Sequence, residues 1–166
     1  ILPHPASILE ALWPHSDDDM AAEMHSWHVR SPANGELLAF GQHRTIPVAI
    51  KLSLNARPTL CRMKISHAEG AIHINLFHGY SVSESPAVSR LTKIISPFSF
   101  SLKTLTAAGL NLAKRAIASE PAYPGLKELF RQFYHAIEVN GESPVSPQAT
   151  LAVTRLCDEF ATQLDN

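Results

Sequence analysis

The sequence predicts an α+β fold, an open, mostly antiparallel β-sheet with helices packed on one face in two layers. Three observations carry this. Between residues 46 and 76, apolar side chains recur at every second position. From residue 101 onward they recur at every third and fourth. Gly is only seven of 166 residues, and no G-x-G-x-x-G, P-loop, G-x-S-x-G or DxDxDG motif occurs, so no nucleotide-binding domain is expected here.

The first element is a helix in ILPHPASILEALWP. Ile8, Leu9, Leu12 and Trp13 recur at helical spacing, Pro5 suits a first turn, and Pro14 would end it. No initiator Met and no charged lead before an apolar stretch is present, so the segment does not read as a signal peptide. It reads as part of a structure that begins before Ile1.

Next come strands. EMHSWHVR and ELLAF flank the turn-rich Pro32-Ala33-Asn34-Gly35 and suggest a hairpin. In IPVAIKLSL, the residues Ile46, Val48, Ile50, Leu52 and Leu54 alternate with Pro47, Ala49, Lys51 and Ser53. Cys61, Met63 and Ile65 alternate with Arg62, Lys64 and Ser66. After His67-Ala68-Glu69-Gly70, Ile72, Ile74 and Leu76 alternate with His73, Asn75 and Phe77. Residues 22–82 thus predict one antiparallel sheet of four to six strands with one apolar face. The other, open face would carry Lys51, Arg62, Lys64, His73, Asn75 and Phe77.

The last third predicts three helices. SLKTLTAAGLNLAKRAIAS starts at Ser101 and is weakened by Gly109. Leu126, Leu129, Phe130, Phe133 and Ile137 form the clearest apolar stripe, stopped by Asn140-Gly141. Ser146 as N-cap and Pro147 at the first position open the final helix.

Composition narrows the function. Apolar residues make up 45% and charged residues 17%, which suits one globular domain rather than a disordered tail or coiled coil. The net charge of −1 removes the footprint of a nucleic-acid binder. No apolar run approaches the ~20 residues that cross a bilayer, so no membrane partner is expected. Cys61 and Cys157, far apart and without CxxC, read as reduced thiols of a cytoplasmic protein. The nine His raise the question of a metal. His25 and His28 would point to opposite faces of a strand and no HExxH occurs, so no metal site is expected.

The stretch AYPGLKELFRQFYHAIEVNGESPVSPQATLAVTRLCDEF resembles the last two helices of the Gfo/Idh/MocA oxidoreductases, the relatives of glucose–fructose oxidoreductase and inositol dehydrogenase. The similarity lies in Tyr123-Pro124-Gly125-Leu126, in Phe133-Tyr134-x-Ala136-Ile137, in Gly141, in Pro144-Val145-Ser146 and in Asp158. Leu52 to Pro58 and Glu69-Gly70-Ala71-Ile72 resemble that family's sheet, although His67-Ala68-Glu69-Gly70 departs from its usual G-T-x-G turn. The similarity extends, in order, over most of the chain.

The resemblance implies a C-terminal substrate and oligomerisation domain, residues 1–166, whose Rossmann domain lies ahead of Ile1. It implies NAD or NADP in the full-length protein and none bound to these residues alone. His4 matches the His of the family's Asp-x-x-x-His pattern and is the catalytic candidate. Lys51 and Tyr123 are the substrate-binding candidates. The substrate would be a sugar-like or cyclic polyol. The open sheet face would form a homo-oligomer, with Arg62, Lys64 and His73 in the contact. The competing expectations are a stand-alone dimerisation or ligand-binding module and, for the histidines, a metal-binding protein.

Overall fold

The architecture is α+β in a computed structural model that describes residues 2–13, 27–43, 45–86, 89–119 and 124–164. Among the described residues, ten elements follow one another. They are α1 (Pro3–Leu12), β1 (His28–Arg30), β2 (Glu36–His43), β3 (Ile46–Ser53), β4 (Arg62–His67), β5 (Gly70–Asn75), β6 (Tyr80–Glu84), α2 (Arg90–Ile117), α3 (Pro124–Glu138) and α4 (Pro147–Leu164). The chain divides into two compact units, residues 1–56 with 129–166, and residues 57–128.

The expected single sheet is two three-stranded antiparallel sheets, ordered β1-β2-β3 and β4-β5-β6. The segment between β3 and β4 holds Asn55, Pro58 and no strand. A proline there removes a ladder donor, and each neighbouring strand pairs only with its own sheet.

In the first unit the register sets Val29 opposite Ala39 and Ala39 opposite Ile50. One face therefore gathers Val29, Leu37, Ala39 and Ile50, all buried, with Val48 and Leu52 half-buried beside them. The alternation in β3 is borne out over Val48, Ile50 and Leu52, while Ile46 and Leu54 at its ends stay exposed. Pro47 sits in β3, an edge strand, where a missing amide costs no inner ladder bond.

The cover for that face is α4. Phe160, 1% exposed, enters the cluster and meets Trp27 edge-on at 5.1 Å. Gly41 makes this possible, because a Cβ there would run into the Trp27 ring. One helical turn further on, Gln163 Oε1 accepts the amide of Val29 at 3.0 Å. α1 packs on α4, and its Leu9, with Leu2 at its N-cap, completes the cluster. Ser146 caps α4 as read, accepting the Ala149 amide at 3.0 Å.

α3 ends in a Schellman turn. Gly141 N–H donates to Ala136 O (2.8 Å) and Asn140 N–H to Ile137 O (3.3 Å). It is Asn140, at φ 49°, that takes the left-handed conformation, a role short polar side chains tolerate.

The second unit departs from the sequence reading in two ways. α2 begins at Arg90 rather than Ser101. Ser89 accepts the Thr92 amide at 3.1 Å, and the helix continues through Pro97. Pro97 lies inside α2, which carries it at the loss of one backbone bond. The sheet is also covered on the face opposite to the one expected. The pairs Arg62–Asn75, Lys64–His73, Ala71–Glu84 and His73–Val82 share one side. α2 lies on that side, with Phe100 edge-on to the His73 ring at 4.8 Å. Ala71, Asn75 and Val82 are buried there. Asn75 is buried because its bonds are made. Its Oδ1 accepts the His78 amide (2.9 Å) and its Nδ2 donates to Tyr80 Oη (3.4 Å), closing the β5–β6 turn. Gly70, at φ 138°, has no room for a Cβ against the Glu84 carbonyl.

Truncating Phe160 to Ala is expected to cost about 3–5 kcal/mol, measured by urea unfolding; a loss below ~1 kcal/mol would show that the first unit does not depend on it. Asn140→Ala is expected to lose about 1 kcal/mol while Asn140→Gly loses none, because Ala pays for the left-handed backbone and Gly does not.

Candidate functional site

His4 lies in the first turn of α1 between Pro3 and Pro5. Its carbonyl accepts the Ser7 hydroxyl at 2.9 Å, and its ring is exposed, without a hydrogen-bond partner among the described residues. Lys51 stands on β3 opposite Leu38, exposed on the sheet face away from Phe160. No hydrogen bond or ion pair joins His4 to Lys51. Tyr123 lies outside the described residues. Of the three residues expected at an interface, Arg62 and Lys64 are exposed, whereas His73 is half-covered.

The best-organised polar group sits on β5 and β6. His73 Nε2 donates to Glu84 Oε2 at 2.7 Å, and Phe100 holds the ring from its other side. The register explains the meeting. Glu84 is diagonal to His73 across the β5–β6 pair, within reach of a long side chain. A carboxylate fixing one imidazole nitrogen leaves the other to accept or deliver a proton. The side chains are 32% and 39% exposed, so solvent reaches the pair. No hydroxyl or thiol is hydrogen-bonded to the imidazole among the described residues.

Beside it runs a second chain of contacts. Asn111 of α2 donates to the His78 carbonyl at 2.6 Å, and the His78 ring stacks over Tyr80 at 6.5 Å. Lys103 Nζ reaches the Ser83 carbonyl at 3.2 Å. These bonds hold α2 over the sheet and fix Phe100 against His73.

Glu84 and Phe100 escaped sequence reasoning. Glu84 ends YSVSE, whose alternation would have extended the sheet. Phe100 sits one position before Ser101, where the sequence reading starts the helix.

In the first unit, Phe133, Ile137, Asn140, Gly141 and Pro144 line a cleft of 410 Å³ at the end of α3. That volume falls within the range of small-molecule sites, and no charged group lines it.

Among the described residues, no three His, Cys, Asp or Glu lie close enough to hold a metal ion. At the described β6–α2 junction, the Ser89 hydroxyl accepts the Thr92 amide at 3.1 Å. No described helix is long and apolar enough to cross a membrane. Comparison with protein-family models, with curated proteins and with solved structures finds no match.

Both cysteines are free. Burial, and then the neighbouring Asp158 charge, push the Cys157 thiol up from its ordinary value. Alkylation of Cys157 by iodoacetamide at about pH 8 is therefore expected to be several-fold slower in the folded chain than in urea, followed by mass spectrometry; equal rates would remove this assignment.

Proposed function

We propose that this chain is the substrate-binding and assembly portion of an NAD(P)-dependent oxidoreductase of the Gfo/Idh/MocA kind, acting in the cytoplasm on a sugar-like or cyclic polyol. One observation carries the reading. The stretch that resembles that family, from Pro124 to Asp158, falls on a helix, an Asn140-Gly141 stop, a Ser146-Pro147 start and a second helix, in the order the resemblance implies. The helix–strands–helices sequence of elements supports it.

In this reading His4 takes or relays the proton that the substrate hydroxyl must lose. Imidazole titrates near neutral pH, and this ring is solvent-facing on a backbone held by two prolines. Lys51 and Tyr123 contact the substrate. The reading places NAD or NADP in another domain of the whole protein, as the resemblance implies and as the absence of a G-x-G-x-x-G motif here supports. Assembly uses the open face of the first sheet, where Phe40 is 53% exposed.

The test uses the protein translated from its whole reading frame, with nicotinamide absorbance followed against a panel of sugars and cyclitols. His4→Ala is expected to lower kcat by about 10²–10⁴-fold with little change in KM. An unchanged kcat removes His4 from the chemistry. No turnover on any polyol, with assembly intact, supports a non-enzymatic module instead. Calorimetry of residues 1–166 alone with NAD or NADP is expected to show no binding, and a clear isotherm would overturn the division of labour.

A further inference from the structure

The second unit is the basic part of the chain. Residues 57–128 hold nine of the 14 Lys and Arg and four of the 15 Asp and Glu, a net +5 against −6 on the rest. Two of those cations, Arg62 and Lys64, stand two residues apart on β4, an edge strand, and so share one face about 6–7 Å apart. It is the face on which α2 rests. α2 packs along β6, however, and Arg62, Lys64 and Ser66 of β4 stay exposed. Neither cation makes a hydrogen bond or ion pair among the described residues.

The register brings a third group to them. His73 stands directly opposite Lys64, with Cβ atoms about 4.5–5.5 Å apart. Among the described residues of β4, β5 and β6 on this face, Glu84 is the only acid. It is already engaged, because it takes His73 Nε2 at 2.7 Å. Phe100 holds the same ring edge-on at 4.8 Å. Nδ1 is left without a partner among the described residues, on an imidazole fixed by a carboxylate and an aromatic, one strand from two cations. The His73 side chain is 32% exposed, so a small solute reaches it. A guanidinium fork, an ammonium and a held imidazole nitrogen, with no acid left to neutralise them, are the donor set of a phosphate site. The charge of the unit draws an anion toward it.

We propose that Arg62, Lys64 and the Nδ1 edge of His73 bind the terminal phosphate of a small, soluble phosphomonoester. The inference is independent of the oxidoreductase reading, because it uses none of His4, Lys51 and Tyr123.

Such a complex holds one proton between ring and ligand. With Nε2–H given to Glu84, the neutral ring accepts at Nδ1 from a singly protonated phosphate, and the charged ring donates from Nδ1 to the dianion. Free imidazole and free phosphomonoester both lose that proton near pH ~6–6.5. Above that range binding must take a proton up, so it weakens as pH rises. Attraction to Arg and Lys alone runs the other way, since the phosphate gains charge. The charged and titratable groups around the ring are Arg62 and Lys64 of β4, Glu84 and Tyr80 of β6, and Lys93, Lys103 and Lys114 on the Phe100 side of α2. Groups of these types keep their charge between about pH 6 and 8. His78, stacked over Tyr80, is the imidazole that needs a control.

The test is titration of the 166-residue chain with glycerol phosphate, followed by heteronuclear NMR, with glycerol as the uncharged comparison. Saturable shifts at Arg62, Lys64 and His73 are expected, with affinity about tenfold lower at about pH 8 than at about pH 6. Arg62→Gln and Lys64→Gln are each expected to weaken binding roughly tenfold. His73→Gln is expected to weaken it and to remove the pH dependence, and His78→Gln to leave both unchanged. Should His73→Gln disturb folding, the His73 ring signals of the unaltered chain across the pH series decide the matter. No saturable shift, affinity that rises toward pH 8, or a pH dependence that survives His73→Gln overturns the proposal. Sedimentation with phosphatidic acid vesicles, without binding of glycerol phosphate, overturns it in favour of a lipid phosphate.

Discussion

The first unit depends on the burial of Phe160. Its ring fills the space between a helix from the end of the chain and strands from the beginning, and touches both Trp27 and the Val29–Ala39–Ile50 row. Without that ring, α4 keeps only Ala152 as a buried residue. The cluster is small, and its strand side is three aliphatic residues and an alanine. One aromatic therefore sits at the centre of that cluster, and α1 packs on α4 and on the same cluster.

The second unit is organised by polarity rather than by bulk. Its sheet meets α2 with Ala71, His73, Asn75 and Val82, and the pairing of those side chains leaves few atoms unsatisfied. Small and hydrogen-bonded residues let the helix approach closely. The larger apolar residues of this unit are then displaced outward. Ile65 is 38% exposed on the other sheet face, and Leu91, Phe98, Leu105 and Leu112 line the outer side of α2. The helix therefore rests on the sheet by its more polar side, with its larger apolar residues turned outward.

Legibility in the sequence followed how local each signal was. α1, the Asn140-Gly141 stop and the Ser146-Pro147 start were readable because a few adjacent residues supply the bonds. The face of β3 was readable because Val48, Ile50 and Leu52 are larger and more apolar than what alternates with them. The face of β5 was not. Ile72 and Ile74 outweigh His73 and Asn75 on any hydropathy scale, yet burial was decided by a turn closed through Asn75 and by a helix far along the chain. Likewise the division into two sheets depends on which strands pair, a long-range choice that alternation does not carry. The His73–Glu84 contact needed that register to be seen.

The Gln163–Val29 bond reaches beyond stability. β1 is an outer strand, and its outward amide is the kind of donor that recruits an unrelated strand. Gln163 occupies it from within the same chain. At the opposite border, Pro47 has no amide to offer. Among the described residues, each border of this sheet thus withholds one backbone donor from templated strand addition, at Val29 and at Pro47.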